Sequence, residues 1–210
     1  MERRSSITSD AETLHPECAF CQFQSVQSYL LKETTHFRIV ADHAPLVEGH
    51  VLIIPKDHYA CYGAVPETLD TELTELKLEV QHFFHYYYAE PVYWEHGVFR
   101  QTVFHAHLHC FPFGAIPDIA LPDSTIMQSQ QDIRDRYQSQ GNYFYLENTA
   151  HSYLFPPDID TYMHVIQEVL RPAAAARGAH ANWRIAQERL QYGVPLVQSV
   201  MQLWHNFQHK

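Results

Sequence analysis

The sequence is short of basic charge, of cysteine and of long apolar runs, and each shortage removes a class of function. Its 210 residues carry 14 Lys and Arg against 24 Asp and Glu, a formal net charge of -10. Duplex nucleic acid calls for a basic surface, so it is excluded as the main partner. A nucleotide, which needs only a small polar site, is not excluded. No apolar stretch approaches the length needed to span a bilayer, so no membrane partner is expected. The run from Met1 to Asp10 lacks an apolar core and does not read as a secretory signal. Residues 1–14 are expected to form a disordered tail. The chain has four cysteines, two of them in Cys18-Ala19-Phe20-Cys21. That usage suits a reducing compartment, read here as the cytoplasm, and a metal clip rather than a disulfide framework. Neither an internal repeat nor a low-complexity linker is present.

What the sequence does have is an alternating histidine run, Gln101-Thr102-Val103-Phe104-His105-Ala106-His107-Leu108-His109-Cys110-Phe111. Successive side chains of a strand point to opposite faces. Read as one strand, the run buries Phe104, Ala106, Leu108 and Cys110 and lines up three imidazoles on the open face. Neutral imidazole is a nucleophile, a proton carrier and a metal ligand. The bland alternative is a histidine-rich surface strand.

Upstream, the Cys-x-x-Cys spacing is that of a zinc half-site. Two buried thiols or a redox pair are the alternatives. Cys61 and Cys110 read as core cysteines. Residues 28–33 and 36–41 are predicted strands joined at Thr34-Thr35. A loop from Asp42 leads to a buried strand, His50 to Pro55, followed by Lys56-Asp57-His58. Pro66 to about Ala89 is a predicted helix, with Leu69, Leu73, Leu76, Val80, Phe83 and Tyr87 on one stripe. Val92 to His96 is a further strand. Five strands and one long helix with short connections favour an antiparallel sheet. Beyond Phe113 the spacing predicts a helix over 123–137 and an aromatic hairpin from 142–146 and 151–155. After it comes a helix capped by Asp158, with Ile159, Met163, Ile166 and Leu170 on one face. Helices over 182–190 and 195–207 complete the chain.

These residues resemble the histidine triad (HIT) family of nucleotide hydrolases and transferases. The resemblance rests on His105-Ala106-His107-Leu108-His109 with Gln101-Thr102-Val103-Phe104 before it, on Gly49-His50 through Pro55-Lys56-Asp57-His58, and on Asp42. It covers roughly residues 15–115. It implies an α+β fold, a HIT-like five-stranded antiparallel sheet with a long helix, to which this chain adds a mixed C-terminal extension over 116–210 packed on the first part. Many relatives carry an Asn on the strand before the triad strand, where this chain has Trp94-Glu95-His96-Gly97. Thr102 replaces a common Ser and keeps the hydroxyl.

The resemblance also implies roles. His107 is the nucleophile on an α-phosphate, and a covalent nucleotidyl-histidine passes the nucleotide to water or another acceptor. His109, Gln101 and Thr102 hold the non-bridging and leaving oxygens, and Asp42 accepts from ribose hydroxyls. Cys18, Cys21, His58 and His105 bind a structural zinc. The expected activity is hydrolysis of a nucleoside phosphoramidate or dinucleoside polyphosphate. A nucleotidyltransferase, a metal hydrolase using the histidines as ligands and a non-catalytic nucleotide-binding regulator are the alternatives. A homodimer through the long helix and its neighbouring strand is expected. The extension is read either as a lid over the mouth of the site or as a structural cap.

Overall fold

A computed structural model describes residues 17–116, 124–179 and 185–210. The expected disordered tail, Trp183 and the starts of the helices expected at 123 and 182 lie outside these ranges. Eight strands form one sheet: β1 (Leu30–Glu33), β2 (Phe37–Ala41), β3 (Val51–Pro55), β4 (Val92–Glu95), β5 (Leu108–Phe111), β6 (Thr125–Ile126), β7 (Phe144–Glu147) and β8 (Ser152–Phe155), in the order β1-β2-β3-β5-β4-β7-β8-β6. All the paired strands run antiparallel. The helices are α1 (Phe23–Val26), α2 (Asp70–Tyr87), α3 (Gln131–Gln140), α4 (Ile159–His164), α5 (Arg171–Ala176) and α6 (Ala186–Gln208).

The five expected strands and the long helix are present. The aromatic hairpin, expected in an extension packed on the five-stranded unit, instead continues its sheet, because β7 pairs along β4 with Trp94 opposite Leu146. Such pairing covers an edge that would otherwise offer unpaired backbone groups. The helix expected over 123–137 starts later, at Gln131, and residues 125–126 are extended and paired with β8.

Each sheet face has its own apolar layer. On one, α2 buries Leu73, Leu76, Val80 and Phe83 against Ile39, Ile53, Leu108 and Cys110. Cys61 and Cys110 are core residues, as expected. Helix α6 joins this layer: the Phe83 and Trp204 rings meet at 4.8 Å, T-shaped. The α2 stripe and the outer edge of β4, expected to pair two copies, are thus covered within the chain. The opposite layer holds Trp94, Phe111, Phe144 and Leu146 beneath Tyr162, Val165, Val169 and Leu170. Asp158 caps α4 as expected, accepting from the Thr161 N–H at 2.8 Å. The expected face is present in part: Leu170 is buried, and Met163 and Ile166 pack against the same layer. Ile159 is exposed and Tyr162 is buried, and a π-helical segment over Val165–Leu170 shifts the register of the following turn. Among the described residues, no helix is long and apolar enough to cross a membrane.

Candidate active site and metal centre

Only part of the histidine run is a strand. β5 starts at Leu108, so His109 is in the sheet while His105 and His107 lie in the connection before it. Ala106, Leu108 and Cys110 are buried as the alternation predicts, but Phe104 is 63% exposed. Nor do the imidazoles stand on an open face: His105 is 0% and His107 5% exposed. The connection is shaped by Gln101. Its Nε2 donates to the carbonyls of Ala60 (3.2 Å), Val103 (2.6 Å) and His105 (2.7 Å), and its Oε1 accepts from Val98 N–H at 3.0 Å. An amide side chain fully used on the backbone folds the loop back upon itself, and the strand cannot begin until the loop is closed. Gln101 was expected to face substrate oxygens; here its amide is committed to the loop. Thr102 is exposed.

Each imidazole has a hydrogen-bond partner that fixes its tautomer. His105 directs Nε2–H to the Pro55 carbonyl at 2.8 Å, leaving Nδ1 bare. That nitrogen lies 3.5 Å from both Cys18 Sγ and Cys21 Sγ, and His58 Nδ1 lies 3.3 Å from Cys21 Sγ. All four ligand atoms fall within 4.8 Å of one another. Ligands at Zn–S about 2.3 Å and Zn–N about 2.0 Å would be separated by roughly 3.6 Å along a tetrahedral edge. The S-to-N separations are close to that value, and the Pro55 carbonyl supplies the outer-shell acceptor that ligating imidazoles use. The donor set therefore fits a closed metal centre of two thiolates and two imidazoles, built from the residues expected.

His107 is set the other way round. Its Nδ1–H donates to the His105 carbonyl at 2.7 Å, so Nε2 carries the free lone pair. Phe20, from the Cys-x-x-Cys turn, packs edge-on at 5.3 Å from its ring. His109 takes its tautomer from His50. The Leu46 N–H points at His50 Nδ1 (3.3 Å), making that nitrogen an acceptor, and His50 Nε2–H then donates to His109 Nδ1 at 3.0 Å. The remaining proton of His109 sits on Nε2. Asp42 Oδ1 accepts from the Ala44 N–H at 2.8 Å, and Oδ2 lies 3.4 Å from His50. Burial disfavours the imidazolium form of His50, His105, His107 and His109. It pushes His50 and His105 down to about 4, and holds His107 and His109 below the ordinary imidazole range.

Two histidines join the triad without having been assigned a role from sequence. The signal for His50 was available: it stands two residues before Leu52, which pairs with His109, so period two puts it on the same face. His96, just beyond β4, lies 5.7 Å from the His109 ring and 6.4 Å from the His107 ring. Its neighbour Trp94 is the strand partner of His109.

The chain is similar to several known proteins. The HIT domain family model matches residues 24–114. An uncharacterized HIT-like protein of Mycoplasma genitalium is 30% identical over 108 residues, 45% of this chain and 72% of that protein. The adenosine 5'-monophosphoramidase of Saccharomyces cerevisiae is 28% identical over 102 residues, 48% of this chain and 65% of that enzyme. Among solved structures, a zinc-bound histidine triad family protein from Mycobacterium smegmatis is 22% identical, covers 59% of this chain and 95% of its own, and has a TM-score of 0.40. With its triad, its Asp42 loop and its five-stranded unit all inside the matched segment, the chain belongs to the HIT family.

Proposed function

We infer that the protein is a nucleotide hydrolase acting at an α-phosphate, of the nucleoside phosphoramidate or dinucleoside polyphosphate type. The observation that carries this reading is the His107 imidazole, neutral by burial, with Nδ1–H tied to the His105 carbonyl and Nε2 left as a nucleophile. In the reaction, Nε2 attacks phosphorus, a P–N bond forms and the bond to the leaving group breaks. Water then attacks the nucleotidyl-histidine, releasing the nucleoside monophosphate and restoring the imidazole. His109 Nε2–H is a donor for a phosphate oxygen where charge develops. The similarity to a yeast phosphoramidase supports this substrate class. A transferase differs only in the acceptor that replaces water.

The cluster of Cys18, Cys21, His58 and His105 fits zinc. With all four positions taken by protein, the ion would supply structural cross-linking and no open site for chemistry. It would tie the N-terminal turn to the base of the triad loop. This argues against the metal-hydrolase alternative at the proposed nucleophile, because His107 is outside the cluster and ties its Nδ1–H to the His105 carbonyl; Asp42, His50 and His109 form a second group of possible ligands, in which His109 Nδ1 is already taken by the His50 Nε2–H. Cys18, Cys21, Cys61 and Cys110 are thiols and form no disulfide, which suits a cytoplasmic setting. A homodimer of the family kind would need surfaces other than the α2 stripe and the β4 edge.

The test is intact-mass analysis of full-length protein mixed with adenosine phosphoramidate or a dinucleoside polyphosphate. A transient added nucleotidyl mass, absent in His107→Ala, supports the reading. Binding of AMP with neither adduct nor turnover would leave the non-catalytic regulator in its place.

A further inference from the structure

The loop that carries His96 is held in a costly conformation. Gly97, Val98 and Arg100 have φ values of +54, +75 and +56. Positive φ in a β-branched residue is a true outlier and persists only where the surroundings over-determine it. They do so here. Val98 N–H is taken by Gln101, Tyr143 N–H donates to the Gly97 carbonyl at 3.1 Å, and a Cβ on Gly97 would meet the Tyr143 ring at 2.5 Å. The result is an imidazole placed beside the triad.

The partners of that imidazole define where its protons go. Trp94 Nε1–H, which can only donate, lies 3.4 Å from His96 Nε2. A neutral imidazole has one N–H, so the proton is on Nδ1, and Nδ1–H donates to the Tyr162 oxygen at 3.3 Å. Burial keeps the ring neutral by pushing His96 down to about 3. The phenol therefore acts as acceptor toward His96, and its own hydrogen remains to be placed. Tyr162 is 8% exposed, wedged against Trp94, Phe99 and Phe144. A buried hydroxyl takes an acceptor. Burial also lifts Tyr162 to about 12, so it keeps its proton at neutral pH.

We propose that Tyr162, carried by α4 from the half of the chain outside the family match, is a hydrogen-bond donor to the phosphate group of the substrate at His107, with Trp94 and His96 holding its oxygen in the acceptor role. This rests on the reading of His107 as the site of phosphate chemistry. It makes the C-terminal half part of the active site, not a remote cap, and it gives the Trp94-Glu95-His96 sequence a task.

The experiment uses full-length Tyr162→Phe, which keeps the packing and removes only the hydroxyl, with adenosine phosphoramidate as substrate and AMP as binding probe. The expected result is a loss in kcat/KM of about 100-fold, the scale of a lost oxyanion donor. AMP affinity should fall at least about five-fold, with Tm lowered by no more than about 10 °C, the scale of leaving the buried His96 N–H without its acceptor, and the variant still folded at the assay temperature. His96→Phe, which leaves the Tyr162 hydroxyl in place but frees it to turn away, should lose a similar factor, and the double variant no more than either, since both act through the same donor. A kcat/KM and an AMP affinity both within about two-fold of wild type in Tyr162→Phe overturns the proposal, as do losses that multiply in the double variant. If wild-type protein binds AMP but does not turn over, the hydrolase reading fails and AMP affinity alone decides Tyr162. If it does neither, both fall.

Discussion

One carbonyl oxygen, that of His105, accepts both the Gln101 side-chain N–H and the His107 ring N–H, each at 2.7 Å. Gln101 therefore orients the acceptor that orients the proposed nucleophile, while His105 turns its own ring toward the thiols. Gln101→Leu keeps the volume and leaves three loop carbonyls and the Val98 N–H without that partner. Unsatisfied buried groups of this kind cost about 1–3 kcal/mol each before relaxation. The expected outcome is a drop in stability of roughly 2–4 kcal/mol by urea unfolding, together with lower metal content. Unchanged stability with a higher KM would return Gln101 to the substrate-contacting role expected from the family resemblance.

The metal centre gives the second prediction. Protein purified without chelator should hold about one zinc per chain, and Cys21→Ser should lower Tm before it lowers turnover per folded molecule. Elemental analysis and thermal melts with and without a chelator check both. A metal-free chain with full stability would rule out a structural zinc, and Cys18 and Cys21 would then be packing thiols only.

The third concerns Asp42, whose two oxygens have different surroundings. Oδ1 closes a turn on the Ala44 N–H, while Oδ2 lies beside His50. If Oδ2 accepts from ribose, Asp42→Ala should raise KM for a ribonucleotide about ten-fold and leave a 2',3'-dideoxy analogue nearly unchanged. Equal weakening of the two would make Asp42 a turn residue alone.

The triad, the Cys-x-x-Cys pair and the α2 stripe were legible because each is a spacing, and spacing maps onto a face or a ligand set. The start of β5 was not. Alternation predicted a strand from Gln101, but the strand is pre-empted by an amide whose four hydrogen bonds reach residues 60, 98, 103 and 105, contacts invisible to a periodicity. Phe104 is exposed for the same reason: it sits on the loop that Gln101 folds. Tyr162 was missed although it stands three residues after Ile159, within helical reach of the expected face, because spacing along α4 does not say that this face lies over Trp94 and His96. The hairpin was misplaced because strand order is a tertiary property. Nothing local to residues 144–155 says that they pair with β4.

Glu95 supplies a pH prediction independent of the triad. It is buried, accepts from the Tyr62 N–H and the Tyr143 hydroxyl at 2.7 Å each, and burial pushes it from 4.5 up to about 7. A carboxyl with a raised folded-state pKa favours the folded protein while protonated. Its contribution is fully present below about pH 4.5 and is lost as pH rises through about 7. The whole shift corresponds to an upper bound of roughly 3 kcal/mol. Glu95→Gln, which stays neutral, should show a flatter stability profile over this window than wild type, measured by denaturant titration at several pH values. Parallel profiles would mean that Glu95 is charged in both folded and unfolded protein.

The last prediction concerns a chain ended before Pro117. Three surfaces would open together. β4 would lose β7 and expose a strand edge, Trp94 and Phe111 would lose the cover of Phe144, Tyr162 and Val165, and Phe83 on α2 would lose Trp204. An open edge and contiguous apolar faces on both sides of a sheet favour association over a soluble monomer. The expected outcome is aggregated protein with no cooperative melt, checked by size-exclusion chromatography and circular dichroism. A soluble fragment that folds but accepts bulkier leaving groups would assign the second half a lid role confined to the site. Solubility with an unchanged substrate profile would overturn both that role and the structural one, because the pairing of β4 with β7 would then contribute neither to the core nor to the site.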